Sequence, residues 1–258
     1  MDEFQFLAAA PLALALLTVL VASVVQTSSG IGFGMVAAPI LILIDTRLVP
    51  GPILLLSLIV SAMAAFRERH DIDYRGLTVA LGGRIPGTIL AGLTITLIPA
   101  TTFGLVFGTL VLLAVILSVL ARSIPPTPKV LLPAGFVSGY MGTLTSIGAP
   151  PMALAYQHGT PATIRSTMAI YFVIGAGISI ATLAWYERFG RDEVVASVIF
   201  LPPLFLGFWL SNFVVRRLQR ERVRQIILAL CAAASMILII KSWLALNTAD
   251  NVAAIALQ

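Results

Sequence analysis

Two glycine-rich clusters set among apolar residues are where this chain could do chemistry. The first holds Gln26, Thr27, Ser28 and Ser29, then Gly30, Gly32 and Gly34, and runs on to Pro39. The second holds Gly142, Thr143, Thr145, Ser146 and Gly148 and ends on Ala149, Pro150 and Pro151. Hydroxyls and an amide side chain bind polar solutes, and glycines let a backbone turn sharply. Consecutive prolines remove two donors that an unwound segment would leave unpaired. A helix beginning at such a break offers free amides and the positive end of its dipole, which together bind an anion without any lysine. One such end is expected at Pro150, capped by Ser146 or Thr145, and another after Gly34.

Three further side chains could join them. Arg84 is the one basic residue well inside an apolar stretch, where a charge costs roughly 2.5–3.5 kcal/mol on insertion scales. It either marks a pathway or snorkels back toward the interface near Arg75. Arg165 falls in the first turn after Pro161, where a cation opposes the helix dipole unless an anion sits between them. It is otherwise an ordinary loop arginine. His158 could relay a proton or simply lie at the membrane edge. Every Asp and Glu falls in a loop or terminus, which argues against cation transport, since that normally uses intramembrane acids.

Other chemistries lack their signatures. The Gly30–Gly34 spacing is not a dinucleotide fingerprint, which needs a preceding strand and a βαβ unit. Leu144 through Gly148 lacks the first glycine of a hydrolase elbow. No zinc-protease motif, metal-ligand cluster or ATP-binding loop is visible, so no metal or cofactor is expected. An intramembrane enzyme or a non-transporting assembly factor remains the alternative, but neither requires a duplicated broken helix.

The elements that must position these residues follow from composition. Of 258 residues, 59% are hydrophobic and only 10% charged, with mean hydropathy +1.02. A soluble domain carries about 25% charged residues, so this chain belongs in a bilayer and is expected to be all-α and polytopic. The net charge of +5 then reflects loop arginines facing the cytoplasm rather than nucleic-acid binding. The N-terminus opens on Asp2 and Glu3, unlike the basic start of a signal peptide.

Aligning Gly30 with Gly142 also aligns Pro39 with Pro151, a common offset of 112 residues. The expected organisation is a first repeat over 1–122, a proline-rich linker over 123–129 and a second repeat over 130–258, together one transmembrane domain. Each half is read as a Gly/Pro-broken helical element, re-entrant or crossing once, plus three transmembrane helices. If each broken element goes in and comes back, the halves are inverted and eleven basic residues collect on one face against four on the other. Positive-inside bias favours that arrangement and puts both termini outside. Paired broken helices in two halves are the sequence pointer to a transport site near the midplane. Gly83 with Gly87, Gly104 with Gly108 and Gly135 with Gly139 have the spacing of close helix packing, and small-residue faces leave homodimerisation open.

The run from Gln26 through Gly30, Gly32 and Gly34 to Pro39 is the first part of a wider pattern. With Gly142, Gly148 and Pro151 and then Thr160 to Arg165, it resembles the TauE/SafE sulfite-exporter family over nearly the whole chain. The resemblance implies an inner-membrane secondary carrier of small sulfur-containing anions such as sulfite and sulfonates, often an exporter, working by alternating access. Arg84 lies outside that pattern. If it lines the pocket, the resemblance leaves room for a larger carboxylate as substrate.

Overall fold

The computed structural model describes residues 9–30, 32–68, 70–119, 126–157, 159–214 and 220–256. His158 lies outside the described residues, as do residues 123–125 of the linker, Arg122, Arg216, Arg217 and the side chain of Ser29. All regular structure among the described residues is helical. Helix α1 (Ala9–Ser29) is followed by α2 (Phe33–Ile44), α3 (Gly51–Arg67), α4 (Tyr74–Leu97) and α5 (Ala100–Val119). Then come α6 (Pro128–Thr145), α7 (Ala149–Ala155), α8 (Pro161–Trp185), α9 (Arg191–Ile199), α10 (Leu201–Val214) and α11 (Arg220–Ala256). Among the described residues six helices are long and apolar enough to cross a membrane, and α9 with α10, bent by 49° where they join, counts as a seventh if the pair is one span.

The starts and bends have local causes. Thr160 caps α8, its Oγ1 accepting from the Thr163 amide at 3.2 Å, with Pro161 in the first turn, as the sequence predicts. Asp73 caps α4 by accepting from the Gly76 amide at 2.9 Å. The bend at Phe200 precedes Pro202 and Pro203, which cannot supply amides to the preceding turn. The arginines at 220, 222 and 224 form the first turns of α11 rather than a loop, so that helix starts earlier than its apolar run suggests.

Both glycine-rich clusters interrupt helices. Gly30 (φ 72°) and Gly32 (φ 104°) take left-handed backbone that side chains rarely adopt, and α1 stops there. Ser146 (φ 61°) ends α6 in the same way. At 12 residues α2 is about 18 Å long, too short to span roughly 30 Å of hydrocarbon. It runs instead through the protein interior, where nine of its twelve residues are buried.

Side-chain contacts fix which way each interrupted element runs. At one end of the bundle Arg67 donates to the Thr27 carbonyl and to Asn212, Tyr156 donates to Asp73, and Arg224 donates to the Ser118 carbonyl. That arginine-rich end therefore gathers the close of α1, α3, α5, α7 and α10 and the start of α4, α8 and α11. The opposite end gathers Arg47, Gly51, Leu97, Thr101, Arg188, Glu193 and Ser242 around one large depression. Helix α1 thus runs to the arginine-rich end and α2 returns to the opposite one. Helix α6 runs parallel to α4, Gly135 against Ala80 and Gly139 against Arg84, so it leads away from the arginine-rich end, and Ser146 Oγ donates to the carbonyl of Pro50, just before α3, 3.1 Å away. Helix α7 then comes back to Tyr156. The two interrupted elements are hairpins pointing in opposite directions.

Helix partners exchange when the halves are exchanged. Helix α6 lies on α4 as α1 lies on α10, α7 on α5 as α2 on α11, while α3 pairs with α8 and α5 with α11. Glycines set the spacing: a methyl on Gly83 or Gly87 would overlap the carbonyls of Leu132 and Phe136, and one on Gly135 or Gly139 those of Ala80 and Arg84. Gly104 and Gly108 meet Ser242 and Ile239 of α11 in the same manner. Large apolar side chains such as Leu90, Ile116, Trp209, Phe213, Ile237 and Ile240 point outward, as a lipid-facing surface requires.

Candidate functional site

The tips of the two hairpins touch. A methyl on Gly34 would overlap the Ser146 carbonyl, and one on Gly32 would come 2.7 Å from Cβ of Ala149. Within the second hairpin, a methyl on Gly142 would come 3.2 Å from Cα of Gly148. Continuous lipid-facing helices at these positions would have removed the basis for a central site, and the chain has interrupted, buried ones in mutual contact.

Helix α4 turns one face inward through Ala80, Gly83, Arg84, Gly87, Thr88 and Ala91. Arg84 is therefore buried by its helix position, not by chance, and is 2% exposed. It is the one charged side chain buried among the described residues. It does not snorkel. Its Nη1 donates to Ser138 Oγ at 3.3 Å, and Ser138 Oγ donates to the Gly148 carbonyl at 2.6 Å. The guanidinium carbon lies 4.9 Å from the ring centroid of Tyr171, a cation–π contact that offsets part of the desolvation. Nε has no hydrogen-bond partner. Any side chain on Gly175 would occupy the guanidinium's place.

Arg84 makes no ion pair; among the described residues such pairs join only Arg47 to Asp45 and both Arg67 and Arg165 to Glu68. Removing a guanidinium from water without a counter-charge costs several kcal/mol. The side chain opens onto a cavity lined by Gly32, Gly34, Gly142, Ser146 and Gly148, with Phe33, Phe172 and Leu54 as apolar walls. That space is about 20 Å³ for the centre of a water-sized sphere, room for about one water. The first amides of α2, at Phe33 and Gly34, border it, and Gly32 supplies no side-chain cap for them. Cation, free amides and helix dipole all favour a small anion there.

The structure divides the sequence-predicted residues. Gly32, Gly34, Arg84, Gly142, Ser146 and Gly148 line one cavity. Gln26 and Gly30 line a second small space beside Arg165. Ser28 donates to the Val24 carbonyl of its own helix at 2.7 Å. Thr143 donates to the Gly139 carbonyl at 2.7 Å and meets Ser179 at 2.8 Å, tying α6 to α8 rather than facing the cavity. Neither expected cap acts on α7. Thr145 accepts from the Ile147 amide at 3.2 Å, Ser146 bonds to Pro50, and α7 starts at Ala149 with Pro150 already inside it. Because Pro150 and Pro151 carry no N–H, α7 offers the Ala149 amide alone, and the α2 end is the richer donor. Pro150 itself faces a separate space beside Gln157 and Arg224. Arg165 is not beside Arg84: it pairs with Glu68 at 2.5 Å, so its charge is already answered. Among the described residues no group of three or more His, Cys, Asp or Glu side chains could hold a metal ion.

Sequence reasoning missed Ser138, Tyr171, Gly175 and Phe172. Each sits in an ordinary apolar run, and only helix packing brings it to Arg84.

A family model described as Sulfite exporter TauE/SafE matches residues 15–238. No curated protein and no solved structure matches the chain.

Proposed function

The chain belongs to the sulfite exporter TauE/SafE family, a family of membrane transporters of sulfur-containing anions, and from that premise we propose a secondary carrier whose substrate binds at Arg84. The observation that carries this reading is the uncompensated, buried guanidinium at the meeting point of two helix breaks. In a membrane protein such a charge persists where a ligand completes it. The small volume favours a compact oxyanion such as sulfite, or a small sulfonate, over a larger carboxylate. Titration of detergent-purified protein with sulfite, methanesulfonate and acetate tests this. Saturable binding of the sulfur anions is expected, and none across the panel overturns the assignment.

The transport cycle we propose is alternating access with export as its direction. The cavity has room for about one water, so a larger solute reaches it only after the surrounding helices move apart. The depression at the end opposite the arginines, about 800 Å³, far exceeds the spaces of about 270 and 10 Å³ at the arginine-rich end, which suits a closed state leaning toward the former. Oppositely directed hairpins that meet at their tips suit a rocking motion of inverted repeats around a fixed centre. The cluster of Arg67, Arg75, Arg165, Arg220, Arg222 and Arg224 at one end supports placing that end in the cytoplasm of a bacterial-type inner membrane and both termini outside. A reporter that works only in the cytoplasm is then active when fused after residue 220 and silent after residue 258. Activity at both positions, or at neither, overturns this topology.

A further inference from the structure

Glu68 follows Arg67 at the end of α3, and its carboxylate is shared between two guanidinium groups. Oε2 lies 2.5 Å from Nε of Arg165, and Oε1 lies 3.2 Å from Nη2 of Arg67. Arg67 is held independently, by the Thr27 carbonyl and Asn212 Oδ1, both at 3.0 Å, and by the Phe208 ring 5.3 Å from its guanidinium carbon. It would stay in place without Glu68. The cluster rests on the first helix break: a methyl on Gly30 would sit 3.8 Å from Cγ of Arg165. Gln26, Thr27, Gly30, Glu68 and Arg165 enclose a space of about 10 Å³. Two side-chain atoms of these residues, Gln26 Oε1 and Thr27 Oγ1, are buried without a partner among the described residues, in residues 4% and 3% exposed.

Two residues along the chain from Gly30, Gly32 lines the Arg84 cavity. Cations thus lie on both sides of the break, Arg165 and Arg67 on the side of Gly30 and Arg84 on the side of Gly32. Only the cations on the Gly30 side have a resident anion, and that anion is a side chain.

We infer that Glu68 is a tethered stand-in for the transported anion. It occupies an anion station formed by Arg165 and Arg67 at the arginine-rich mouth of the pathway, and the solute displaces it on the way to Arg84. The inference rests on the transport reading above. A carboxylate and a sulfur oxyanion accept hydrogen bonds from a guanidinium in the same way. Exchanging one for the other keeps both arginines paired throughout, whereas opening a plain ion-pair latch would leave them bare. The pair is also weak enough to yield, because Arg165 and Glu68 are 29% and 22% exposed and water screens them. The unpartnered Gln26 and Thr27 atoms offer further hydrogen-bonding capacity to a hydrated or hydroxylic anion passing through.

The test is sulfite uptake into membrane vesicles of both orientations, made with the full-length protein and its variants. Glu68→Gln removes the competitor at nearly constant shape. It lowers KM about threefold in inverted vesicles, the scale of a partly exposed ion pair, and leaves right-side-out KM unchanged. Arg165→Gln raises KM in inverted vesicles only. A Glu68→Gln KM equal to wild type, or shifted alike in both orientations, overturns the inference. The swapped double variant, Glu68→Arg with Arg165→Glu, keeps an ion pair but moves the cation off α8. Wild-type KM in that variant means the pair is only a latch and overturns the station. Saturable uptake abolished by Arg84→Gln but unaltered by Glu68→Gln rejects the station alone. The face-specific Glu68→Gln shift in a protein indifferent to Arg84→Gln rejects the central site alone. Absence of saturable sulfite uptake by the wild type rejects both.

Discussion

Replacing Arg84 with glutamine weakens sulfite binding by about tenfold to a hundredfold, the worth of a charge-assisted hydrogen bond that glutamine does not supply. The fold is not expected to suffer. Arg84 has one hydrogen bond to Ser138, one ring contact with Tyr171 and no carboxylate partner. A buried cation without a counter-charge destabilises its own site, so its removal leaves the melting temperature unchanged or raises it. Titration calorimetry and thermal unfolding in the same detergent separate the two effects. Wild-type affinity in the glutamine variant excludes Arg84 from the site, and a collapse of the melting temperature makes it a structural residue instead. Lysine at this position keeps the charge but loses the planar fork that lies over Tyr171, so binding falls between wild type and glutamine.

Gly34→Val has the largest expected effect on folding. A Cβ at position 34 would overlap the Ser146 carbonyl, which is backbone and cannot rotate away. The two hairpin tips must then separate, at a cost of roughly 3 kcal/mol or more, because overpacked sites relax only by moving backbone. Thermal unfolding in detergent should show a large loss of stability, and sulfite binding should disappear with it. Gly177 is the control: it has nothing within 4 Å of an added Cβ. Gly177→Ala removes a helix-interior glycine and is expected to be neutral or slightly stabilising. Equal behaviour of the two variants would mean that the tips do not depend on contact at Gly34.

Much of the architecture was legible before any coordinates. Apolar runs near membrane length gave most of the spans, Thr160 and Pro161 gave the start of α8, and Pro202 with Pro203 marked the bend in the span formed by α9 and α10. The paired glycines of α4, α5 and α6 announced close packing, since small residues at that spacing have little other use in lipid. The breaks at 30–32 and 146–148 were legible for a related reason. Glycine, serine and proline clusters are poor helix interiors, and lipid does not tolerate the unpaired backbone they would leave.

Position in the site was much less legible. Ser28, Thr143 and Thr145 looked like ligand groups and instead satisfy carbonyls of their own helices, because a hydroxyl in a helix finds the preceding turn first. Arg84 and Arg165 looked alike as basic residues near apolar helices. What separates them is Glu68, which lies 97 residues from Arg165 in sequence and touches it in space, while no acid among the described residues reaches Arg84.

The amino-acid sequence by itself determined a bilayer-embedded helical protein, two interrupted helices and apolar runs without an acid deep inside them; Asp192 and Glu193, read as loop residues, form the first turn of α9 at its end. Those are properties of local composition and of what hydrocarbon tolerates. Only the tertiary structure decided that the interruptions meet tip to tip, that α7 lends almost no amides to the site, and that one buried arginine is left without a counter-charge among the described residues. Charge compensation depends on which distant side chains share a neighbourhood, and no local pattern records that.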